Sequence, residues 1–321
     1  MILLGGIALA DSVRFVNLHH HSTFSFGDGY GTPAEHAKRA AELGYSAIAL
    51  TEHGNVSSHF QLEKAAIELG LKSIFGVEAY TGPVDEEHRS QWKYHLTIIA
   101  ETLNGYRNLN RIVSQSYLDT YYHPTVGGDS LRDNAEGLVV LSGCTGSLLA
   151  CSLVGGKGIP EPTSRDGYGW DDARLVIQRF AALFGSRYFL EVQPFWELEK
   201  SQRINTAYAK LSRETGVPLV VTNDVHYPRP EDSEMQAILH AVRRGKHTVE
   251  EAMREWNYEV PMTLPSSDRD LGERLMKTGL TRDEAWTAIC NTADIAEGIN
   301  FKLPKAERLR YPISKEDLEP W

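Results

Sequence analysis

Short apolar runs alternate with amphipathic stretches along the first two-thirds of the chain. Apolar runs of about four to eight residues predict buried strands, and apolar positions three or four apart predict helices. The predicted strands are 15–21, 45–51, 71–80, 94–100, 137–142, 188–193 and 217–222. The predicted helices are 33–43, 58–69, 105–118, 171–184 and 198–214, followed by helical segments near 231–243 and 282–297.

This alternation is typical of a parallel α/β sheet. The strands are short, numerous and strongly apolar, which favours a closed barrel over an open sheet. No glycine-rich phosphate fingerprint follows the first strand, which argues against a nucleotide-binding doubly wound fold. The Gly/Pro-rich stretch 154–169 lacks periodicity and predicts an exposed loop.

The two ends of the chain differ from this pattern. The first residues, MILLGGIALA, end in a tripeptide that imitates a signal-peptidase site, but the first basic residue is Arg14. We interpret 1–12 as a leader, an extra strand or a start-site artefact, with secretion as the alternative. The tail 304–321 is charged and contains proline, as is typical of a terminus or linker. We therefore expect one domain over 13–303, with a helical C-terminal part.

Composition narrows the class of protein. The 321 residues carry a formal net charge of −10, which counts against a broad basic surface for duplex DNA. It does not exclude a nuclease whose metal ions supply positive charge locally. The three cysteines do not make a disulfide framework, so we expect a reducing, cytoplasmic setting. The sequence has no apolar run of about 18 residues, so no membrane span is predicted.

Side chains that bind metals recur where the predicted strands end. His19 and His21 close the first strand, and a strand places residues two apart on the same face. Asp224 and His226 repeat this spacing after the last strand. Strand ends of one polarity meet at one rim of a parallel barrel, so we expect these side chains to converge. A solvated histidine run is the alternative, but it does not explain the repeated placement.

The remaining candidates follow the same rule with one exception. Asp28 follows the first strand in its loop, His53 and Glu78 end the next two strands, and Cys144 follows VVLSG. His95 is the exception because it opens its strand, so it must reach the rim differently. Imidazole, carboxylate and thiol together suit zinc, manganese or iron better than magnesium or calcium. One tetrahedral ion cannot use nine ligands, so two or three divalent ions are expected.

Six segments resemble the successive motifs of the polymerase-and-histidinol-phosphatase (PHP) family. They are FVNLHHHSTFSFGDG, AIALTEHGN, IFGVEAY, YHLTIIAETLNGYRNL, LVVLSGCTGSLL and PLVVTNDVHY. Within the family they are most similar to the PHP domain at the N-terminus of bacterial DNA polymerase III alpha subunits, from about Val13 to Leu303. The resemblance implies an α/β fold, a distorted seven-stranded (β/α) barrel, with a trinuclear metal site at the C-terminal rim of its strands. The ligands it implies are His19, His21, Asp28, His53, Glu78, His95, Cys144, Asp224 and His226.

Two positions depart from the family pattern. Asn17 stands where the motif usually has histidine, outside the nine implied ligands, and Glu52 replaces the usual aspartate before His53. We expect Glu52 to support a ligand at most. The palm, fingers and template-binding parts of a polymerase are absent from these residues. We therefore expect no polymerase activity from this chain. We interpret the chain as either a separately encoded PHP protein or an excised domain.

The function implied by the resemblance is a metal-dependent phosphoesterase acting on DNA, specifically a 3′–5′ exonuclease of the proofreading type. A metal-activated hydroxide would attack the terminal phosphodiester. Two alternatives stay open: a non-catalytic structural or metal-binding module of a replicative polymerase, and a small-molecule phosphomonoesterase. The expected partners are a single-stranded or frayed DNA 3′ end and polymerase or replisome subunits, with no membrane.

Other polar residues have simpler interpretations. Candidate phosphate contacts, each of which is more simply an ordinary exposed cation, are Arg107, Arg111, Lys157, Arg243 and Arg244. His20 is expected to be structural, and surface or packing positions are expected for His36, His59, His88, His123, His240 and His247. Ser22 is expected in a turn or supporting a ligand, and Cys151 and Cys290 in the core.

Overall fold

Six strands form one sheet in chain order. The computed structural model describes residues 13–82, 92–118, 120, 123–243, 245, 248, 250–251 and 260–305. The strands are β1 Ala47–Leu50, β2 Lys72–Thr81, β3 Tyr94–Ala100, β4 Leu138–Leu141, β5 Tyr188–Val192 and β6 Leu219–Val221. Neighbouring strands are parallel except that β3 is antiparallel to both β2 and β4.

Helices connect and cover these strands. They are α1 Pro33–Glu42, α2 His59–Leu69, α3 Leu103–Leu118, α4 Gly128–Asp133, α5 Leu148–Val154, α6 Trp170–Phe184, α7 Glu199–Thr215, α8 Ser233–Arg243, α9 Asp268–Lys277 and α10 Arg282–Gly298. Local signals set several of their starts. Thr32 and Thr281 cap α1 and α10, each in a capping box with a glutamate three residues later. Within the described residues, no helix is both long and apolar enough to span a membrane.

The predicted first strand, 15–21, is wrong as a regular strand, although the other six predicted strands are confirmed to within two residues. The segment instead runs as extended chain between β1 and the residues that follow β6. The backbone N–H of Thr51 donates to His20 O at 2.8 Å, and that of His21 donates to Val225 O at 2.7 Å. The segment thereby closes the seventh side of a distorted barrel without forming a seventh strand.

The prediction of a parallel sheet is wrong for β3. Its antiparallel pairing with β2 runs from Gly76 opposite Ile99 to Thr81 opposite Tyr94, with His95 opposite Tyr80. The N-terminal end of β3 therefore lies at the edge where β2 ends, which is how His95 reaches the same rim as the other candidates. The apolar pattern could not reveal this direction, because buried parallel and antiparallel strands carry the same kinds of side chain.

Three helices, α4, α5 and α9, were not predicted individually. α4 and α5 are six and seven residues long, too short for the apolar pattern of a helix to repeat clearly in the sequence. After α5, residues 155–169 contain no helix or regular strand, in agreement with the predicted loop.

The segment that closes the barrel is anchored by Phe15. Its ring is fully buried and packs edge-on against Tyr45, with the ring centroids 6.1 Å apart. Its backbone N–H donates to the carboxylate of Asp268 at 2.9 Å, at the start of α9. Burial of one aromatic ring therefore fixes the chain just before the histidines of the rim.

We expect Phe15→Ala to lower the free energy of unfolding by about 3–5 kcal/mol, because it leaves a cavity beneath this segment. The measurement is urea denaturation followed by circular dichroism at fixed protein and metal concentration. Phe60→Ala is the matched control, because Phe60 is 72% exposed on α2 and should change stability by no more than about 0.5 kcal/mol. Equal destabilisation by both variants would contradict the role of Phe15.

Candidate metal centre

The nine candidate side chains lie together at one rim of the barrel, with Glu78 at their centre. Glu78 is 1% exposed and lies near the end of β2. Its oxygens lie within 4 Å of a nitrogen or sulfur atom of five other candidates: His19, His21, His53, His95 and Cys144. The shortest distances, 2.5 Å each, join its two oxygens to the Nδ1 atoms of His53 and His95.

Two aspartates join the remaining candidate to this group. Asp224 Oδ1 lies 3.4 Å from the Nε2 atoms of both His19 and His21, and 3.5 Å from Nδ1 of His226. Asp28 lies on the other side, with Oδ1 3.5 Å from Nε2 of His226. Its Oδ2 also lies 2.9 Å from Nε2 of His53. The nine side chains therefore form one contiguous cluster.

Three groups of donor atoms within the cluster are each compact enough to hold an ion. In each group the donor atoms lie within 4.8 Å of one another; the groups are His21–His53–His226, His19–His21–Glu78 and Glu78–His95–Cys144. Two residues are shared between groups. The groups therefore adjoin, as sites for neighbouring ions would.

Local backbone geometry presents these side chains at the rim. Asp224 follows β6 with a φ of +43°, in the left-handed region that non-glycine residues adopt rarely. Val225 beside it is fully buried, so the two-residue spacing places Asp224 and His226 toward the cluster and Val225 away from it. His53 forms an isolated parallel bridge with Glu78 at the end of β1.

A buried carboxylate orients His19. Glu191, near the end of β5, lies with Oε1 2.7 Å from Nδ1 of His19. Its oxygens also accept hydrogen bonds from the hydroxyls of Thr97, at 3.1 Å, and Thr222, at 2.5 Å. When Nδ1 carries the proton toward Glu191, Nε2 is left as a lone-pair donor facing the cluster.

Ser25 and Glu52 orient His21 in a comparable way. The Ser25 hydroxyl lies 2.8 Å from Nδ1 of His21 and donates to Glu52 at 2.6 Å. The hydroxyl and backbone N–H of Ser22 also donate to Glu52, at 2.5 and 3.0 Å. These contacts agree with the supporting roles expected for Glu52 and Ser22.

Sequence reasoning missed several residues that contact the cluster, among them Glu191 and His240. Glu191 lies in a predicted strand, and a lone carboxylate in an apolar run was a usable signal. His240 was expected only at the surface or in packing, yet it is buried on α8 with Nε2 2.7 Å from Asp28 Oδ1. No local pattern marked it.

The other histidines with a structural interpretation are placed as expected where they are described. His20 and His36 are buried against each other, with Nε2 of His20 2.7 Å from Nδ1 of His36, and His59 is buried beside Phe75. Three of the residues named in the sequence analysis lie outside the described residues: His88, Arg244 and His247.

Burial and neighbouring charges shift the pKa values of the histidine rings in opposite directions. Burial, with the nearby rings of His53 and His226, lowers the pKa of His21 to about 3. Burial also opposes the charged form of His53, but the carboxylates of Glu78 and Asp28 outweigh it and raise the pKa of His53 to about 10. Without a cation, the carboxylates therefore draw protons onto some of the rings.

The acidic members show the complementary effect. Burial favours the neutral form of Asp28, Glu78 and Asp224, but the surrounding histidines outweigh it and lower the pKa of each. Burial, with the carboxylates of Glu78 and Asp224, raises the pKa of the Cys144 thiol well above its ordinary value. A divalent cation in this place would instead favour the thiolate.

The donor set fits divalent cations. Several buried atoms face other candidate ligands of the cluster but form no hydrogen bond of normal geometry: His19 Nε2, His21 Nε2, Glu78 Oε2 and Asp224 Oδ1. Across the described residues, the ion pairs of these carboxylates are with histidines and none is with lysine or arginine. Buried polar atoms are normally paired, so this arrangement is best satisfied by cations at the centre.

The chain is similar in sequence to curated proteins of bacterial DNA replication, the DNA polymerase III alpha subunits. The chain is 35% identical over 242 residues to the DNA polymerase III subunit alpha of Treponema pallidum, covering 73% of this chain and 20% of that protein. It is 29% identical over 316 residues to the corresponding subunit of Thermus aquaticus, covering 96% of this chain and 24% of that protein. The chain thus spans about a fifth to a quarter of the length of these curated relatives.

A solved structure and a family model give two further comparisons. The histidinol phosphate phosphatase of Lactococcus lactis, solved with zinc, L-histidinol and phosphate, has a TM-score of 0.40 at 14% identity. This alignment covers 74% of this chain and 95% of that one. The PHP domain model matches residues 17–194, more than half of the chain. With that match and the cluster of motif residues at one rim, the chain belongs to the PHP domain family.

Proposed function

We propose that this chain is a metal-dependent phosphoesterase that removes nucleotides from the 3′ end of DNA. The observation that carries the proposal is the contiguous cluster of nine buried or half-buried donor side chains, with three adjoining groups that can each hold an ion. DNA as the substrate is supported by the similarity to DNA polymerase III alpha subunits. The same similarity supports polymerase or replisome subunits as partners.

One side of the cluster is fully buried, and the other side is partly exposed to solvent. The side chains of His19, His21 and Glu78 are at most 1% exposed, whereas those of His53 and His95 are 14% and 19% exposed. A phosphodiester would therefore approach from the side of His53 and His95. The buried members would hold their positions without contacting the substrate.

The residues of this chain would act mainly by binding cations and by fixing the orientation of the ligand side chains. Divalent cations bound here would supply an activated water and neutralise the charge that develops on the phosphate. All nine candidates, including the acids Asp28, Glu78 and Asp224, would hold those cations. Glu191 and Ser25 would keep the rings of His19 and His21 in place, which preserves the geometry during the reaction.

The first test uses 5′-labelled single-stranded DNA and a small phosphomonoester, each incubated with the protein and Mn²⁺. We expect the DNA to shorten stepwise from its 3′ end. His53→Ala should lower the rate at least about a hundredfold, because it removes a donor on the accessible side of the cluster. Phe60→Ala, which alters an exposed side chain, should leave the rate unchanged.

The outcomes separate the alternatives. Turnover of the phosphomonoester alone would favour a small-molecule phosphatase. Failure to cleave either substrate, with metal bound and the fold intact by circular dichroism, would favour a non-catalytic module. Undiminished DNA cleavage by His53→Ala would locate the chemistry elsewhere.

A second test addresses the orientation of His19. We expect Glu191→Gln to weaken binding of Mn²⁺ or Zn²⁺ about 10–100-fold, because an amide accepts the Nδ1 proton less strongly than a carboxylate does. Calorimetric titration of protein first stripped with chelator measures this affinity. Glu197→Gln is the matched control, because Glu197 is exposed in the loop after β5. Identical affinities for the two variants would refute the orienting role.

A further inference from the structure

The turn that leads to Asp28 exposes an aromatic ring beside the metal centre. The backbone N–H of Asp28 donates to Ser25 O at 3.0 Å, with Phe26 and Gly27 at the corner and a φ of +71° at Gly27. Ser25 and Asp28 are buried, whereas Phe26 is 89% exposed. That is the largest exposed fraction among the large apolar side chains of the described residues. The turn thus projects a ring outward two residues from a candidate ligand.

Arg243 lies against this same turn. A Cβ atom built on Gly27 would lie 2.9 Å from Cδ of Arg243 and 3.3 Å from its Cβ. Arg243 is the last residue of α8, the helix that also carries His240 to Asp28. The C-terminal end of α8 therefore brings a guanidinium-bearing side chain next to Gly27, which lies between Phe26 and the candidate ligand Asp28.

Lys93 lies on the accessible side of the cluster. Its Nζ is 4.3 Å from the centre of the Tyr80 ring. That ring in turn stacks on His53 at 6.0 Å and lies 5.5 Å from the ring of His95. Lys93 is thus one aromatic ring away from the two most exposed histidines of the cluster.

Lys157 adds a third cation beside Cys144. A Cβ atom built on Gly146 would lie 2.7 Å from Lys157 Nζ and 3.6 Å from Cys144 Sγ, so both atoms border the same point. Lys157 has a φ of +46° and its Nζ donates to the backbone oxygen of Lys93 at 2.8 Å. Within the part of the chain that the structure describes, no carboxylate lies within 4.0 Å of the Nζ of either lysine.

An exposed ring, two lysines with no carboxylate within 4.0 Å of Nζ and a nearby arginine match the chemistry of single-stranded nucleic acid. Bases stack on aromatic side chains, and phosphates lie against lysine and arginine. An exposed phenylalanine alone would equally suit a protein contact. The local positive charge, in a chain whose net charge is −10, favours the polyanion.

We infer that Phe26 stacks on the terminal base of a single-stranded DNA end while Lys93, Lys157 and Arg243 hold its phosphates. This inference rests on the proposed function and deepens it. The substrate class inferred here is a polymeric phosphodiester that carries bases. A small phosphomonoester has no base that could stack on the ring of Phe26.

The test measures binding separately from turnover. The probe is a 5′-fluorescein 12-mer of deoxythymidine with a phosphorothioate at its 3′-terminal linkage, titrated with protein and Mn²⁺ by fluorescence anisotropy. We expect Phe26→Ala to weaken binding about tenfold, which is typical for loss of one base–aromatic stack. Phe26→Trp should restore it, and Phe60→Ala, the matched exposed phenylalanine, should bind like the unaltered chain. Equal affinities of Phe26→Ala and Phe60→Ala would overturn the inference.

A 12-mer with an abasic 3′-terminal nucleotide isolates the base. The unaltered chain should bind it about tenfold more weakly than the complete 12-mer, whereas Phe26→Ala should bind both equally. Equal binding of the two probes by the unaltered chain would overturn the inference, as would a change in self-association by sedimentation velocity without a change in DNA affinity. Failure of the unaltered chain to cleave an ordinary oligonucleotide would refute the proposed function instead, while these affinities still decide the role of Phe26.

Discussion

The burial of the Glu78 carboxylate among imidazole rings is the constraint around which the rim is built. A carboxylate that is 1% exposed is strongly unfavourable unless positive charge surrounds it. The rings of His53 and His95 approach it at 2.5 Å, and those of His19 and His21 lie within 4 Å. Histidines can supply this charge only by taking up protons, whereas divalent cations would supply it without them. The fold therefore concentrates negative charge where cations would stabilise it.

The barrel brings these residues together through two irregular features. The antiparallel β3 carries His95 to the rim at the start of a strand, where a parallel strand would have placed it at the opposite end. The extended segment before His21 bonds to the chain on both sides, to Thr51 and to Val225. This segment closes the barrel and at the same time places two histidines on the face toward Glu78. The distortion of the barrel is thus inseparable from the assembly of the cluster.

A layer of hydrogen-bonded residues surrounds the cluster and fixes its orientation. Glu191 and Ser25 contact the Nδ1 atoms of His19 and His21, while His240 contacts Asp28 from α8. These contacts leave the atoms that face the centre available for ligands. The rim outside these residues differs, because it carries the exposed ring of Phe26 and the cations Lys93, Lys157 and Arg243. On the proposed function, the ordered interior would bind ions and the charged, partly apolar opening would bind a larger anion.

The sequence by itself determined the residue types and their local order. Six strands were predicted to within two residues, since apolar runs between turns report burial directly. The two-residue spacings of His19 with His21 and Asp224 with His226 also predicted a shared face, because side chains alternate along extended chain. The same residues also predicted a metal site, since imidazole, carboxylate and thiol are a recognisable donor set.

Only the tertiary structure decided the direction of β3, the absence of a regular strand over 15–21 and the partners of the ligands. Strand direction depends on which edges meet, and the apolar pattern is the same in either direction. Glu191 lies 172 residues from His19 and His240 lies 212 residues from Asp28 along the chain. Contacts between such distant residues arise from packing of separate elements, so no local spacing in the sequence encodes them. The exposed position of Phe26 likewise follows from a turn whose two ends, Ser25 and Asp28, are buried.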